Sequence, residues 1–205
     1  MTDVAPIPLR QHARDAVRRQ IAVTAIDLFE EHGFAHVTVG DIVKAAGTSA
    51  RTFHRYFSSK EDTVLVDAAA NGELVRRELE RCGDLEPWPA LRRALRPLVE
   101  ITENDDDGSL RAMRVLLSES SLRARSTQKH QEWAEFLMPV LRSNTGVGGT
   151  QARALVLSAL SCFDAALEEW VAEDGARSLA TFVDDAFASV GYRWASSAEA
   201  VPDRP

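Results

Sequence analysis

The 205-residue sequence contains few of the residues that mark several common classes of protein. It has only two cysteines, Cys82 and Cys162, and neither has a second ligand-type residue at metal spacing. No apolar run approaches the roughly 20 residues that a membrane-spanning helix needs, and the first residues lack the apolar core of a secretory signal. A metal site on the cysteines and a membrane protein are therefore disfavoured. We expect a cytoplasmic protein with reduced thiols.

The motifs of common enzymes are also missing from the sequence. It has no nucleophile elbow, no metal-binding pair on a helix and no pair of carboxylates with an obvious partner. The glycines from Gly146 to Gly149 follow no strand and precede no Lys-Ser or Lys-Thr pair, which disfavours a phosphate-binding loop. The consecutive carboxylates at 105–107 lack the alternating spacing of a calcium loop. We predict a protein that is not an enzyme and has no metal or cofactor.

Charge is distributed unevenly along the chain. The formal net charge is −7, but residues 1–66 hold eight basic and eight acidic side chains, so the whole excess falls on residues 67–205. Arginine outnumbers lysine 21 to 3, which suggests a GC-rich bacterial genome. Four arginines cluster before the first apolar run, at Arg10, Arg14, Arg18 and Arg19. A local basic edge of this kind can face DNA phosphates although the segment as a whole is neutral.

Residues 29–65 combine two short helical patterns with a glycine-containing turn. Thr38 is a hydroxyl N-cap with an aspartate three residues later, and apolar residues then recur at helical spacing until a glycine ends the pattern. Ser49 caps a second helix in which Phe53 and Phe57 share one face. The polar, cationic and aromatic residues between them point elsewhere. This is the layout of a helix-turn-helix head.

The outward side chains of this head suit a DNA major groove. Arginine reaches guanine edges or phosphates, while hydroxyls and imidazoles add shorter hydrogen bonds. We predict the following DNA-contacting residues: Thr38, Val39, Ala50, Arg51, Thr52, His54, Arg55, Tyr56 and Lys60. The apolar residues at helical spacing instead build a small three-helix core.

Beyond the head the sequence shows no useful strand-like alternation, and every segment is predicted to be helical. Ser59 is predicted to cap a long helix that runs to about Cys82 and connects two domains. Pro97 predicts a kink or an early end in the helix that follows. Thr150 is predicted to cap a later long helix, and the final helix begins near Arg177. The last two helices are amphipathic, as a dimerising bundle requires.

The N-terminal residues resemble the TetR family of one-component transcriptional regulators. The matching positions are Phe29, Gly33, Phe34, Thr38, Val39, Ile42, Ala46, Gly47, Ser49, Thr52, Phe53, Tyr56, Phe57, Lys60, Glu61 and Leu65. The sequence departs from the family pattern at His54, where tyrosine is usual, at Thr48, where valine is preferred, and at Val43, where alanine is preferred. The contact that His54 makes is left open.

The chain also resembles one branch of that family, the regulators similar to the mycofactocin-system repressor, which bind acyl-CoA-like ligands. The resemblance rests on RTFHRYFSSKED at 51–62, SLRAR at 121–125, QEW at 131–133 and Trp170. It implies an apolar tunnel with basic groups near its mouth. The ligand-binding residues predicted on that basis are Met113, Leu117, Arg123, Trp133, Phe136, Leu137 and Phe163. Methionine and aromatic stripes usually fill a core, so the alternative that these side chains only pack the interior is left open.

The resemblance implies a homodimer formed through the last two helices. One short recognition helix makes too few contacts for specificity, whereas a symmetric pair reads two half-sites. A ligand that favours one spacing of the two heads would shift the population between DNA-competent and incompetent dimers. We therefore predict a repressor that a small apolar or acyl-CoA-like effector releases from a double-stranded DNA operator. The alternative is an activator or a non-catalytic adaptor that uses the same head.

The predicted fold class is all-α, with two domains and a tail. Residues 10–60 form a three-helix helix-turn-helix DNA-binding domain. Residues 61–194 form a helical bundle for ligand binding and dimerisation, and residues 195–205 form a disordered tail.

Overall fold

The computed structural model of the protein describes residues 9–105 and 108–198, with side chains at 13–105 and 108–191. In those residues the chain forms ten α-helices, one short 3₁₀ turn at Phe34–His36, and no strand. The helices are α1 (Leu9–His32), α2 (Val39–Ala45), α3 (Ala50–Tyr56), α4 (Glu61–Val64), α5 (Ala68–Glu80), α6 (Pro87–Glu103), α7 (Gly108–Ser118), α8 (Ser120–Thr145), α9 (Gly149–Ala172) and α10 (Leu179–Ala198). The predicted all-α fold class is confirmed.

Residues 9–66 and 114–123 form one compact unit, called here the N-terminal unit. In it α1 packs against α2, the 3₁₀ turn and α4, and α2 packs against α3. The centre of its core is formed by Ile21, Ala25, Ile42 and Phe53, each at most 1% exposed. Full burial of a large apolar side chain contributes about 1.5–3 kcal/mol, so this small core is what holds the short helices α2 and α3 in place.

The long helix predicted from Ser59 to about Cys82 is wrong, because the chain forms α4 and α5 with a turn at 65–67 between them. The Arg18 guanidinium donates a hydrogen bond to the Val66 carbonyl, which lies in that turn. Ser59 makes no cap either: the Asp62 carboxylate accepts from the Ser58 N–H at 3.1 Å. A tertiary contact from α1 thus satisfies a carbonyl at the break, which helical periodicity alone does not report.

Residues 67–105, 108–113 and 124–198 form a second unit, called here the C-terminal unit. Helix α6 packs against α5, α9 and α10, and α9 packs against α10. Helix α8 adds Leu137 and Leu141 to the same core. Both cysteines are buried in it, and burial raises the pKa of the Cys82 and Cys162 thiols. The thiolate is the reactive form of cysteine, so both thiols are held in the unreactive form.

Side chains fix α10 against α6 inside the C-terminal unit. The Trp88 indole N–H donates to the Phe187 carbonyl at 3.1 Å, and the Arg92 Nε donates to Asp184 at 2.7 Å. At the other end of α6, the Glu103 carboxylate accepts from the Ala180 N–H in the first turn of α10, at 3.2 Å. Helix α6 continues past Pro97 to Glu103, which excludes the early end, and the kink that Pro97 predicts as the alternative stays a prediction.

The two units divide the chain after Val66, and residues 114–123 group with the N-terminal residues. The functional boundary predicted after residue 60 stays a prediction. Helix α10 extends to Ala198, whereas residues 199–205 of the predicted tail lie outside the described residues. The Arg10 side chain and residues 106–107 of the acidic turn also lie outside them. None of the described helices is both long and apolar enough to cross a membrane.

Candidate nucleic-acid interface

Helix α2 begins with the Thr38 N-cap that the sequence predicts, and Asp41 makes this cap reciprocal. The Asp41 N–H donates to the Thr38 hydroxyl oxygen at 3.3 Å, and Asp41 Oδ2 accepts from the Thr38 N–H at 2.9 Å. The same carboxylate oxygen accepts from the Thr38 hydroxyl at 2.6 Å. These bonds from Thr38 hold the pKa of Asp41 below its usual value. The same hydrogen bonds fix the first turn of α2. Val39, a predicted DNA-contacting residue in that turn, is half-buried.

Helix α3 follows a tight turn at Gly47, whose φ of 62° favours glycine. The Ser49 hydroxyl oxygen accepts from the Thr52 N–H at 3.1 Å and so caps α3, as predicted. On the inner side, the Phe53 and Phe57 rings are buried with their centroids 5.4 Å apart. Both the cap and the aromatic pair keep this helix in one orientation in the N-terminal unit.

The outer side of α3 is polar and accessible. Its exposed residues are Ala50, Arg51, His54 and Arg55, which lie at positions that share one helical face. The Arg55 guanidinium donates to the Tyr56 hydroxyl at 2.9 Å and lies 4.8 Å from the centre of that ring. The structure therefore brings most of the predicted DNA-contacting residues of α3 onto one surface, with Thr52 and Tyr56 half-buried at its edges.

Lys60 was predicted to contact DNA, but its ammonium group points into the N-terminal unit. Its Nζ donates to the carbonyls of Phe34 and Val37, at 2.6 and 2.8 Å. It also lies 4.2 Å from the centre of the Phe34 ring. Two of its three N–H groups are thus used within the protein.

The predicted ligand-binding residues are divided between the two units. Trp133, Leu137 and Phe163 are buried in the core of the C-terminal unit, and Phe136 packs against that core. Met113 is half-buried in the same unit. The two remaining residues, Leu117 and Arg123, belong to the N-terminal unit, where the Arg123 guanidinium donates to the Leu117 carbonyl at 3.1 Å.

Trp133 packs closely against α5. A Cβ atom added to Gly72 of α5 would lie 2.5 Å from the indole Nε1, so the indole rests directly on the α5 backbone. The His130 ring lies 4.9 Å from the Trp133 ring, and its Nδ1 is 3.0 Å from the Asp164 carboxylate. Sequence reasoning missed the His130–Asp164 pair because 34 residues separate its members.

A surface cleft of about 250 Å³ lies elsewhere on the C-terminal unit. Its lining residues are Thr102, Glu103, Leu110, Trp170, Asp174, Gly175, Ala176, Arg177 and Ser178. None of the predicted ligand-binding residues lines it. Among the residues that the structure describes, no group of three histidine, cysteine or acidic side chains is placed to hold a metal ion.

The capped α2, the glycine turn and the polar face of α3 define a helix-turn-helix DNA-binding protein. Residues 21–66 match the family model of bacterial regulatory proteins of the tetR family, and residues 85–195 match the model of the MftR C-terminal domain. The chain belongs to the TetR family and is a transcriptional regulator, not an enzyme. The resemblance stated from the sequence is confirmed for both parts of the chain.

Relatives agree with this assignment. The mycofactocin biosynthesis transcriptional regulator MftR of Mycobacterium tuberculosis is 28% identical over 181 residues, which cover 87% of this chain and 91% of that protein. The transcriptional regulator TcmR of Streptomyces glaucescens is 30% identical over 146 residues, or 68% of this chain and 65% of that protein. The crystal structure of Thermus thermophilus FadR, a TetR-family repressor in complex with lauroyl-CoA, has a TM-score of 0.53 and 25% identity, covering 92% of this chain and 97% of that one.

Proposed function

We propose that this regulator is a homodimeric repressor that an acyl-CoA-like ligand releases from its operator. The observation that carries the DNA half of the proposal is the exposed face of α3, where Arg51, His54 and Arg55 stand opposite the buried Phe53. A polar helix face of this kind enters a major groove, while the apolar face of the same helix packs in the N-terminal unit.

The exposed residues of α3 have different tasks in this proposal. Arg51 and His54 reach base edges, where guanine offers two acceptors to an arginine. Arg55 is held by Tyr56 and pairs with a backbone phosphate, which fixes the register without reading sequence. Thr38 and Val39 place the start of α2 beside the adjoining phosphates.

The ligand half of the proposal concerns the apolar core of the C-terminal unit. Trp133, Phe136, Leu137 and Phe163 supply the apolar wall that an acyl chain needs. The lauroyl-CoA bound to the Thermus FadR supports this ligand class.

Dimerisation through α9 and α10 completes the proposal. Both helices carry small exposed residues, including Ser161 and Ala165 on α9 and Ala188 on α10, which allow close approach of a second copy. A two-fold dimer places two α3 helices on two half-sites of one operator. Such a protein acts where the chromosome is, so we place it in the cytoplasm.

The test is fluorescence anisotropy of a labelled duplex from the region upstream of the gene, compared with a scrambled duplex across a salt series. We expect tighter, salt-dependent binding to the native duplex. Lauroyl-CoA added at a fixed salt concentration should then release the duplex, whereas coenzyme A alone should not. If independently confirmed, saturating ligand binding left operator affinity unchanged, the repressor mechanism would be contradicted. If the ligand tightened operator binding, the protein would be an activator or a repressor that uses the ligand as a co-repressor.

A double substitution separates DNA reading from an adaptor function. The variant Arg51→Ala with Tyr56→Ala removes a predicted base contact and the support of Arg55. A folded double variant that bound the operator as tightly as the native protein would favour the adaptor.

A further inference from the structure

Lys60 joins two segments of the N-terminal unit that are distant in sequence. Its ammonium group donates to the carbonyls of Phe34, 26 residues away, and Val37, 23 residues away. The group is also 4.2 Å from the centre of the Phe34 ring. Two charge-assisted hydrogen bonds and a cation–π contact act on one half-buried ammonium, so its position is strongly determined.

The backbone of Lys60 is held as well. The hydroxyl of Thr63, a polar side chain that is 1% exposed, donates to the Lys60 carbonyl at 2.6 Å. The Thr63 N–H donates to the same carbonyl at 3.1 Å. Lys60 therefore links two segments. Its carbonyl accepts hydrogen bonds from Thr63 of α4, and its ammonium group donates to the segment before α2.

The two segments that Lys60 links lie beside the proposed DNA-reading helices, α2 and α3. Val37 immediately precedes Thr38, the N-cap of α2, and Lys60 lies four residues after Tyr56, the last residue of α3. A bond from Lys60 to Val37 consequently fixes the start of α2 relative to the end of α3. In a helix-turn-helix head one helix crosses the phosphates while the other enters the groove, so this spacing decides whether both engage DNA together.

We propose that Lys60 is a positioning residue, which sets the spacing of α2 and α3 for DNA reading and does not itself contact a phosphate. This inference rests on the proposed DNA function of α3. It assigns Lys60 a task different from the one that the sequence pattern suggests. A direct phosphate contact and a positioning role predict different salt dependence, which makes them separable.

The first measurement is hydrogen exchange of the full-length protein without DNA, comparing the native chain with Lys60→Met. Methionine keeps the length and apolar stem of lysine but donates no hydrogen bond. We expect amides in residues 34–42 to exchange on the order of tenfold faster, since charged hydrogen bonds are lost there. Amides of the α1 core in residues 21–29 should exchange as before. Lys129→Met, which changes a lysine of the C-terminal unit, is the matched control and should leave residues 34–42 unchanged.

The second measurement is operator binding of the same variants across a salt series. A positioning role predicts that Lys60→Met weakens binding while the slope of log K against log salt stays as in the native protein. Loss of a phosphate contact would instead reduce the slope by about one. A slope reduced in that way, or unchanged exchange at residues 34–42, would overturn the proposal.

Lys60→Arg keeps the proposal testable if the methionine variant unfolds. It retains the positive charge, so a phosphate contact would survive, but its planar guanidinium differs in shape from the ammonium. Under the proposal, if Lys60→Arg raises the exchange rate of the amides at residues 34–42, it also lowers operator affinity. Native affinity with raised exchange would contradict a positioning role. Because exchange is measured without DNA, its outcome is independent of whether the proposed operator function holds.

Discussion

At the scale of single residues, the two arginines of α3 are distinguished by their neighbours. Arg55 is bonded to Tyr56 through its guanidinium, whereas Arg51 extends from the first turn of the helix on the exposed face. In helix-turn-helix proteins the N-terminal residues of the recognition helix contact base edges. Of these two arginines, Arg51 is therefore the one that we expect to read the base sequence.

We expect Arg51→Ala to lower operator affinity by about 1–3 kcal/mol and to relax discrimination at one base pair. Anisotropy titrations against operators mutated at single positions measure both effects. Arg142→Ala, which removes an exposed arginine of α8, is the control and should bind as the native protein does. Equal losses on the operator and on a scrambled duplex would show that Arg51 contacts only phosphate.

Thr38 stabilises α2 because its side chain caps the helix. Thr38→Ala removes the reciprocal cap with Asp41 and should destabilise the N-terminal unit by about 0.5–2 kcal/mol. Hydrogen exchange at the buried Ile42 and Phe53 measures that free energy. Thr150→Ala is the matched control, because the residue before α9 is Gly148 and no side chain caps that helix. An equal effect of both substitutions would mean that the Thr38 cap contributes nothing.

At the scale of secondary-structure elements, α5 carries a network of ion pairs. Glu73 accepts from Arg76 at 2.7 Å and from Arg77 at 3.0 Å. The hydrogen bonds from Arg76 and then Arg77 lower the pKa of Glu73 from 4.5 to about 2. Because the pKa is depressed in the folded state, the stabilisation is present above pH 4.5 and is lost as pH falls towards 2.

This sign predicts how the stability of Glu73→Gln changes with pH. Near neutral pH the variant should unfold at a lower temperature than the native protein, and the difference should disappear as pH falls towards 2. Thermal unfolding followed by circular dichroism at several pH values measures it. Glu86→Gln, at the start of α6, serves as the control for loss of one carboxylate. A difference that persists unchanged at the acid end would contradict the assigned pairing.

The contact between α5 and α8 is set by Gly72. A Cβ at this position would meet three atoms of the Trp133 indole at 2.5 to 2.8 Å. Although alanine favours a helix by up to about 1 kcal/mol over glycine, overpacking costs about 1–3 kcal/mol, so Gly72→Ala should destabilise the C-terminal unit. Denaturant unfolding followed by circular dichroism reports the change. At Gly83 the nearest atom would be 3.9 Å away, so Gly83→Ala should fold as the native protein does.

At the scale of the whole molecule, the proposed function requires two copies. Ala188 is exposed on α10, on a surface that a second copy would cover. Ala188→Arg should shift the protein from dimer to monomer in sedimentation experiments and weaken operator binding, because a buried unpaired charge is costly. Ala70→Arg, at an exposed position of α5, should stay dimeric. A native protein that sediments as a monomer at operator-binding concentrations would contradict the homodimer.

Local signals in the chain were reliable where the structure depends on neighbouring residues. The Thr38 and Ser49 caps are found as predicted, and the buried and exposed sides of α3 follow its helical spacing. Signals of the same kind failed at Ser59 and Thr150, which cap no helix. A hydroxyl before a helical pattern becomes a cap only if the fold places its backbone correctly.

The amino-acid sequence by itself determined the helical class, the helix-turn-helix head and the family, because caps, turns and apolar spacing act over a few residues. Only the tertiary structure decided the partners of Arg18, Lys60 and Trp133, which lie 48, 26 and 61 residues away at Val66, Phe34 and Gly72. Such contacts depend on how helices pack, and periodicity carries no information about which distant carbonyl or backbone a side chain meets. The break between α4 and α5, and the inward direction of Lys60, follow from that packing.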